Sequence, residues 1–315
     1  MNSYSLSVYR ITIYNSHKKD ELLNLSNFDN GKNFIKLVND MFLTWRNEAI
    51  TMVVKDDNAR KVSRLKRDSS NNWIYHCHTT YIDGIIESGN FGTQENIIDI
   101  ETGDSKYIKL PKDAALVPFY FMIYILPNSN EGYLILERIM GLGIYSIIDK
   151  AIKTYIGSQV DGKYTLKIEP YIVPELLKLN LQAVGGAKRV TLKGVNINQF
   201  KSMSLSQDYQ GCTTEVSFIA PRNKYINDLF DLFKSNKSKD GNNLYRVNNI
   251  ECTDVSFDLN INGNKRKVSV ANITNIGMNM DITKRIEVDG TGYPSYSCIS
   301  KEANEIISYI IKEIN

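Results

Sequence analysis

Hydrophobic and polar residues alternate from Ser3 to Tyr14, where Tyr4, Leu6, Val8, Ile11 and Ile13 recur with one slip of phase. A period of two predicts a strand. Phe34, Leu37, Val38, Met41, Phe42 and Trp45 then recur at the three-and-four spacing of one helix face. Ile50 to Val54 predicts a second strand, and the charged stretch Lys55 to Asn72 a loop or exposed hairpin. Short β-like segments follow. Trp73 to Ile82 runs into Gly84, Gly89 and Gly92, and Ile97 to Ile100 and Tyr107 to Leu110 flank the turn-like Thr102-Gly103-Asp104. Val117 to Leu126 is apolar on both faces, as a buried strand requires. After the turn cluster Pro127 to Gly132, Tyr133 to Ile139 returns as its partner, giving a central hairpin.

Gly141 and Gly143 open a helix with Ile144, Ile147, Ile148, Ala151, Ile152 and Tyr155 on one face. The pattern stops at Gly157 to Gly162, which sets a boundary between two domains, 1–157 and 158–315. Beyond it, strands are expected at Tyr164 to Ile172, Lys188 to Val195 and Gly211 to Ala220. Helices are expected from Pro174 to about Val184 and from Tyr225 to Phe233. Lys234 to Asn243 is the most loop-like stretch. Val255 to Ile261 and Lys267 to Ile273 flank Asn262-Gly263, a strong hairpin signal. Ala303, Ile306, Ile307, Ile310, Ile311 and Ile314 form a C-terminal helical stripe. The sum is an α+β fold with mostly antiparallel sheets and few helices.

Composition narrows the function classes. The 315 residues include 42% hydrophobic residues, enough for folded cores, and 38 Lys+Arg against 35 Asp+Glu leave a net charge of +3. Any basic function must therefore sit in local clusters. The four cysteines, Cys77, Cys212, Cys252 and Cys298, stand singly, as buried reduced thiols of a cytoplasmic protein would. The start lacks a basic segment followed by a continuous apolar run, and the longest apolar run, Ala114 to Leu126, contains Pro118. It falls short of the roughly 20 residues that span a bilayer, so no membrane insertion is expected.

Candidate chemistry is sparse. His76 and His78 would face the same way on a strand, with Asp83, Glu87 or Asp99 as conceivable co-ligands, but the only other histidine is His17. Asp99, Glu101, Asp104 and Lys106 come nearest to the Asp and Glu-x-Lys set of a metal-dependent nuclease, in the wrong order. Gly141-Leu-Gly143 lacks the Gly-Lys-Ser/Thr ending of a phosphate loop. No catalytic residue, metal ligand or cofactor is assigned. Basic clusters carry more weight. Arg60, Lys61, Arg64, Lys66 and Arg67 place five cations in eight residues without an acid, and Lys188, Arg189 and Lys193 share a strand. Lys265, Arg266 and Lys267 follow the Asn262-Gly263 turn. Such groups suit backbone phosphates, where each contact releases counterions. Aromatic residues do not interleave with them in sequence as a base-stacking platform requires.

Phe119-Tyr-Phe-Met-Ile-Tyr-Ile125, a turn, Gly132-Tyr-Leu-Ile-Leu-Glu-Arg138, the helix from Gly143 to Ile156 and Leu166-Lys-Ile-Glu-Pro170 form an order that resembles uncharacterised bacterial defence-type proteins. It also resembles the phage-exclusion protein RexA and the Kiwa protein KwaB. That resemblance implies antiphage defence and DNA binding without a familiar catalytic triad, and assigns no residue individually. The expectation is a non-catalytic component of a prokaryotic antiphage system that binds nucleic acid, duplex DNA first, by its phosphates. The alternatives are a metal-dependent nuclease using the Asp99 to Lys106 region, and an adaptor or homo-oligomer docking through the C-terminal stripe.

Overall fold

A computed structural model describes residues 3–46, 49–54, 59–171, 173, 187–195, 214–222, 224, 226, 236–237, 243–247, 250–261, 264–269 and 279–314. The chain divides into two compact units, Met1–Pro170 with Met278–Ser308, and Tyr171–Gly277 with Tyr309–Asn315. The first unit thus extends past residue 157 and reclaims a segment from the C-terminal third. Its elements are β1 (Tyr4–Asn15), β2 (Lys18–Leu22), α1 (Phe34–Thr44), β3 (Ile50–Val54), β4 (Ala59–Leu65), β5 (Tyr75–Cys77), β6 (Tyr81–Phe91), β7 (Glu95–Ile98), β8 (Ser105–Lys109), β9 (Val117–Ile125), β10 (Glu131–Ile139), β11 (Leu142–Gly143), α2 (Tyr145–Gln159) and β12 (Tyr164–Pro170). The second holds β13 (Arg189–Lys193), β14 (Glu215–Ile219), β15 (Asn236–Lys237), β16 (Asn243–Val247), β17 (Ile250–Cys252), β18 (Asp254–Ile261) and β19 (Asn264–Ser269). The chain then returns to the first unit with β20 (Asn279–Asp281) and with α3 (Tyr296–Ile314) as far as Ser308.

The first unit is built on an 11-stranded sheet with the order β12-β1-β10-β9-β6-β4-β3; β2 and β20 pair with β1, β5 with β6 and β11 with β10. Every pairing is antiparallel, and the β9–β10 hairpin lies at its centre, as the apolar run anticipates. The stretch after Val54, expected as a loop or exposed hairpin, supplies β4, which pairs with β3 and β6. Its pattern of alternating polar and apolar positions is short and rich in cations, so the strand is read only from its neighbours. β12, placed beyond the boundary by sequence, pairs with β1.

Strand alternation sorts the side chains onto two faces. One face carries Ile11, Phe121, Leu134 and Leu136, all buried, and receives α1 and α2. Phe42 of α1 stacks on Phe121 with ring centroids 4.7 Å apart, and Tyr145 of α2 stacks on Tyr9 at 4.4 Å. Asn33 caps α1, its side chain accepting from the Lys36 N–H at 3.1 Å and satisfying one of the first-turn donors. The other face carries Val8, Asp83, Tyr120 and Glu137, buried beneath the 282–300 segment that leads into α3. Gly84 lets the chain before β5 cross tightly, since a Cβ there would lie 2.5 Å from the Ile74 carbonyl oxygen.

In the second unit β14-β13-β18-β19 form a four-stranded antiparallel sheet, and β15-β16-β17 a three-stranded one. Val190, Leu192, Val255 and Phe257 are buried. β15 and the start of β16 fall within the stretch read as loop-like. The helix expected at 174–184, all of the one expected at 225–233 except Ile226, and the Asn262-Gly263 turn lie outside the described residues. Cys252 is buried and its thiol is pushed up to about 11 by that burial, whereas Cys77 is exposed, against expectation. Among the described residues no helix is long and apolar enough to cross a membrane, and the apolar run Ala114 to Leu126 is mostly β9.

Phe121→Ala removes a fully buried ring from the sheet centre and strands Phe42. The expected loss is about 3–5 kcal/mol of unfolding free energy by urea titration.

Candidate nucleic-acid interface and buried carboxyl site

The five cations between positions 60 and 67 do not form one patch. Arg60 and Arg64 point to the same face as Asp83 and are exposed, whereas Lys61 lies on the α1 face among Ser63 and Leu65, half-buried. Lys66 leaves the strand end half-buried, its N–H donating to the Ile85 carbonyl. Arg67 is exposed, donates from Nη1 to Asn71 Oδ1 at 2.7 Å, and stands 4.0 Å from the centre of the Trp73 ring. An aromatic side chain therefore does sit beside the cluster, delivered by the tight turn 68–72 rather than by adjacency in sequence. Asp68 closes that turn by accepting from the N–H groups of Ser70 and Asn72. Among the described residues Arg64 is the one member of the cluster with an ion pair, to Glu87 at 2.9 Å. With the Arg64 side chain 56% exposed, that pair contributes about 0–1 kcal/mol and exchanges readily for another anion.

Arg189 and Lys193 of the second cluster are paired with acids. Arg189 meets Asp258 at 3.6 Å and Lys193 meets Glu215 at 3.6 Å. Lys188 donates to the Lys224 carbonyl at 2.6 Å. Lys265, Arg266 and Lys267 lie within β19, and Lys267 is in register with the same Asp258. Acids from neighbouring strands thus interleave with the bases, an arrangement the linear sequence hides.

The nuclease-like residues form a hairpin tip. Asp99 accepts from the N–H groups of Glu101 and Thr102 and pairs with Lys106 at 3.1 Å, contacts that hold its carboxyl below the ordinary range. Glu101 and Asp104 are exposed in the turn between β7 and β8. Among the described residues no group of three His, Cys, Asp or Glu side chains is placed to hold a metal. The same ribbon exposes Ile97, Ile98, Ile100, Tyr107 and Ile108. At the strand-to-helix turn, Met140 and Gly141 adopt positive φ, and the Gly141 carbonyl accepts from Arg138. The C-terminal stripe is covered, with Ala303, Ile306, Ile307 and Ile310 buried, so it offers no free docking face at those positions.

A site not anticipated as a unit lies on the Asp83 face. Asp83 is 1% exposed, and its Oδ2 accepts hydrogen bonds from Tyr296 Oη at 2.7 Å, Tyr120 Oη at 3.0 Å and Ser300 Oγ at 3.4 Å. Its Oδ1 lies 3.2 Å from His76 Nδ1. His78 does not join, stacking instead on Tyr81 at 4.3 Å. Burial, then the neighbouring Asp83, raises the Tyr120 phenol. Burial together with the hydrogen bond to Asp83 raises that of Tyr296. Glu137 lies beside this cluster, 2% exposed, with Oε2 accepting the Tyr120 N–H at 2.8 Å and Oε1 without a partner. Burial pushes its pKa from 4.5 to about 7. It lines a pocket of about 140 Å³ together with Lys66, Pro118 and the 293–296 segment. A second, more open pocket of about 240 Å³ holds Arg10, Glu131, Lys167 and Glu169, whose charges pair with one another.

The fold and these sites define a mostly antiparallel α+β protein with a cation-bearing sheet face and a buried acidic pocket. No protein-family model matches the chain, and no curated protein matches it.

Glu137 keeps a raised pKa in the folded state, so its contribution is fully present below about pH 4.5 and is lost as pH rises through about 7. Glu137→Gln is therefore expected to be more stable than wild type at pH 8, by up to about 3 kcal/mol. The gap should close near pH 5 in thermal unfolding across the pH series.

Proposed function

We propose that this chain binds nucleic acid, duplex DNA first, through backbone phosphates, as a non-catalytic cytoplasmic component of a prokaryotic antiphage defence system. The observation that carries the reading is the placement of two exposed arginines, Arg60 and Arg64, on one side of β4, with Arg67 beyond them. Four residues of strand separate the first two by roughly 13 Å, a spacing that tracks a charged backbone rather than a single anion. The Glu87 partner is weakly held against a phosphate, and Arg67 with Trp73 adds a planar surface beside the row. Resemblance to RexA and KwaB supports the same class. A protein contact is favoured secondarily by the apolar β7–β8 ribbon.

Titrating a fluorescent duplex at rising salt tests it. Affinity is expected to fall steeply with salt, and Arg60→Ala with Arg64→Ala to reduce the magnitude of the log–log slope by about two while thermal stability stays near wild type. Binding that ignores salt, or an unchanged slope in the double variant, overturns the reading.

A further inference from the structure

The pocket over Glu137 lies on the same sheet face as Arg60 and Arg64, and Lys66 belongs to both the cation cluster and the pocket lining. Its volume of about 140 Å³ matches that of a cavity able to take one six-membered ring. Ile85, Pro118, Tyr293, Pro294 and Tyr296 give it apolar and aromatic walls on which a flat ring can pack. Glu137 presents an unpartnered oxygen on a side chain 98% removed from solvent, and in the ionised form that oxygen is satisfied by an N–H or O–H. Leaving such a group unsatisfied costs about as much as a lost hydrogen bond, and a polar ligand removes that cost. A carboxyl group fits the amino edge of cytosine, the one single-ring base that carries an exocyclic NH₂.

We propose that this pocket receives a cytosine swung out of the strand whose phosphates lie on Arg60, Arg64 and Lys66. The inference rests on the nucleic-acid reading and names the base that accompanies it. Glu137 Oε1 accepts from the amino group, the ring packs between Pro118 and the 293–296 segment, and Lys66, which shares the pocket lining with the Asp289 carboxyl, turns toward the phosphate. Three strand spacings, roughly 14 Å, separate β10 from β4, a distance that one nucleotide and an extended lysine together bridge. No bond is made or broken; the energy of unstacking is met by the contacts in the pocket.

Three labelled duplexes of one sequence decide the matter, one fully paired, one with a single unpaired cytosine and one with a single unpaired thymine. Wild type is expected to bind the cytosine bulge about tenfold more tightly than the thymine bulge. In Glu137→Gln the amide oxygen keeps the Tyr120 N–H and the amide NH₂ faces the pocket. The preference should then disappear or turn toward thymine, whose ring offers an acceptor. Equal wild-type affinity for the two bulges, with normal salt-dependent duplex binding, overturns the base pocket alone. A cytosine preference that survives Glu137→Gln overturns the role of Glu137 and with it the proposal. Absence of binding to all three duplexes overturns the nucleic-acid reading and the pocket together.

Discussion

The first unit depends on the burial of one carboxyl group. Asp83 sits at the centre of the sheet, where an unpaired acid would cost several kcal/mol, and three hydroxyls with one imidazole surround it. Two of those hydroxyls, Tyr296 and Ser300, belong to the first turns of α3, and Tyr296 lies 213 positions away in the chain. The sheet centre is therefore satisfied only when the C-terminal segment has docked. Tyr171–Gly277, the larger part of the second unit, separates the two segments of the first along the chain. Closing so long a loop adds only a logarithmic entropic cost, which the Asp83 bonds and the burial of Ile299, Ala303 and Ile306 offset. Arg285 reinforces the return by pairing with Glu302 at 2.8 Å and with Glu305.

That docking also makes the pocket. Glu137 is a strand residue that would face water on an uncovered sheet, and the 289–296 segment converts it into a buried acid with a raised pKa. Tyr120 links the two acids, giving its N–H to Glu137 and its hydroxyl to Asp83.

The cations obey a different constraint. A period of two sends alternate residues to opposite faces, so a run of five charges becomes an exposed pair, a half-buried lysine behind the sheet and two residues beyond the strand end. In β13 the same pleat brings Arg189 opposite Asp258 and Lys193 opposite Glu215 and Asp254, and in β19 it brings Lys267 opposite Asp258, so part of the local charge is offset. Charge density along a sequence and charge density on a surface are different quantities wherever the chain is a strand.

Periodicity by itself determined the local elements: β1, α1, the β9–β10 hairpin and α2 all stand where the apolar positions recur, because burial of those positions is what forms them. It determined the α+β class for the same reason. It left β4 open between a loop and an exposed hairpin because charges mask a short alternation, and it did not show that β12 pairs with β1, since Gly157 lies inside α2 and the glycine at 162 follows the helix without ending the compact unit. His76 and Asp83 were visible as titratable residues, but neither Tyr296 nor Glu137 carried a local signal. Only the tertiary structure decided that these groups meet, since the return of α3 to the sheet is fixed by long-range packing and hydrogen bonding, to which the pattern of neighbouring residues is blind.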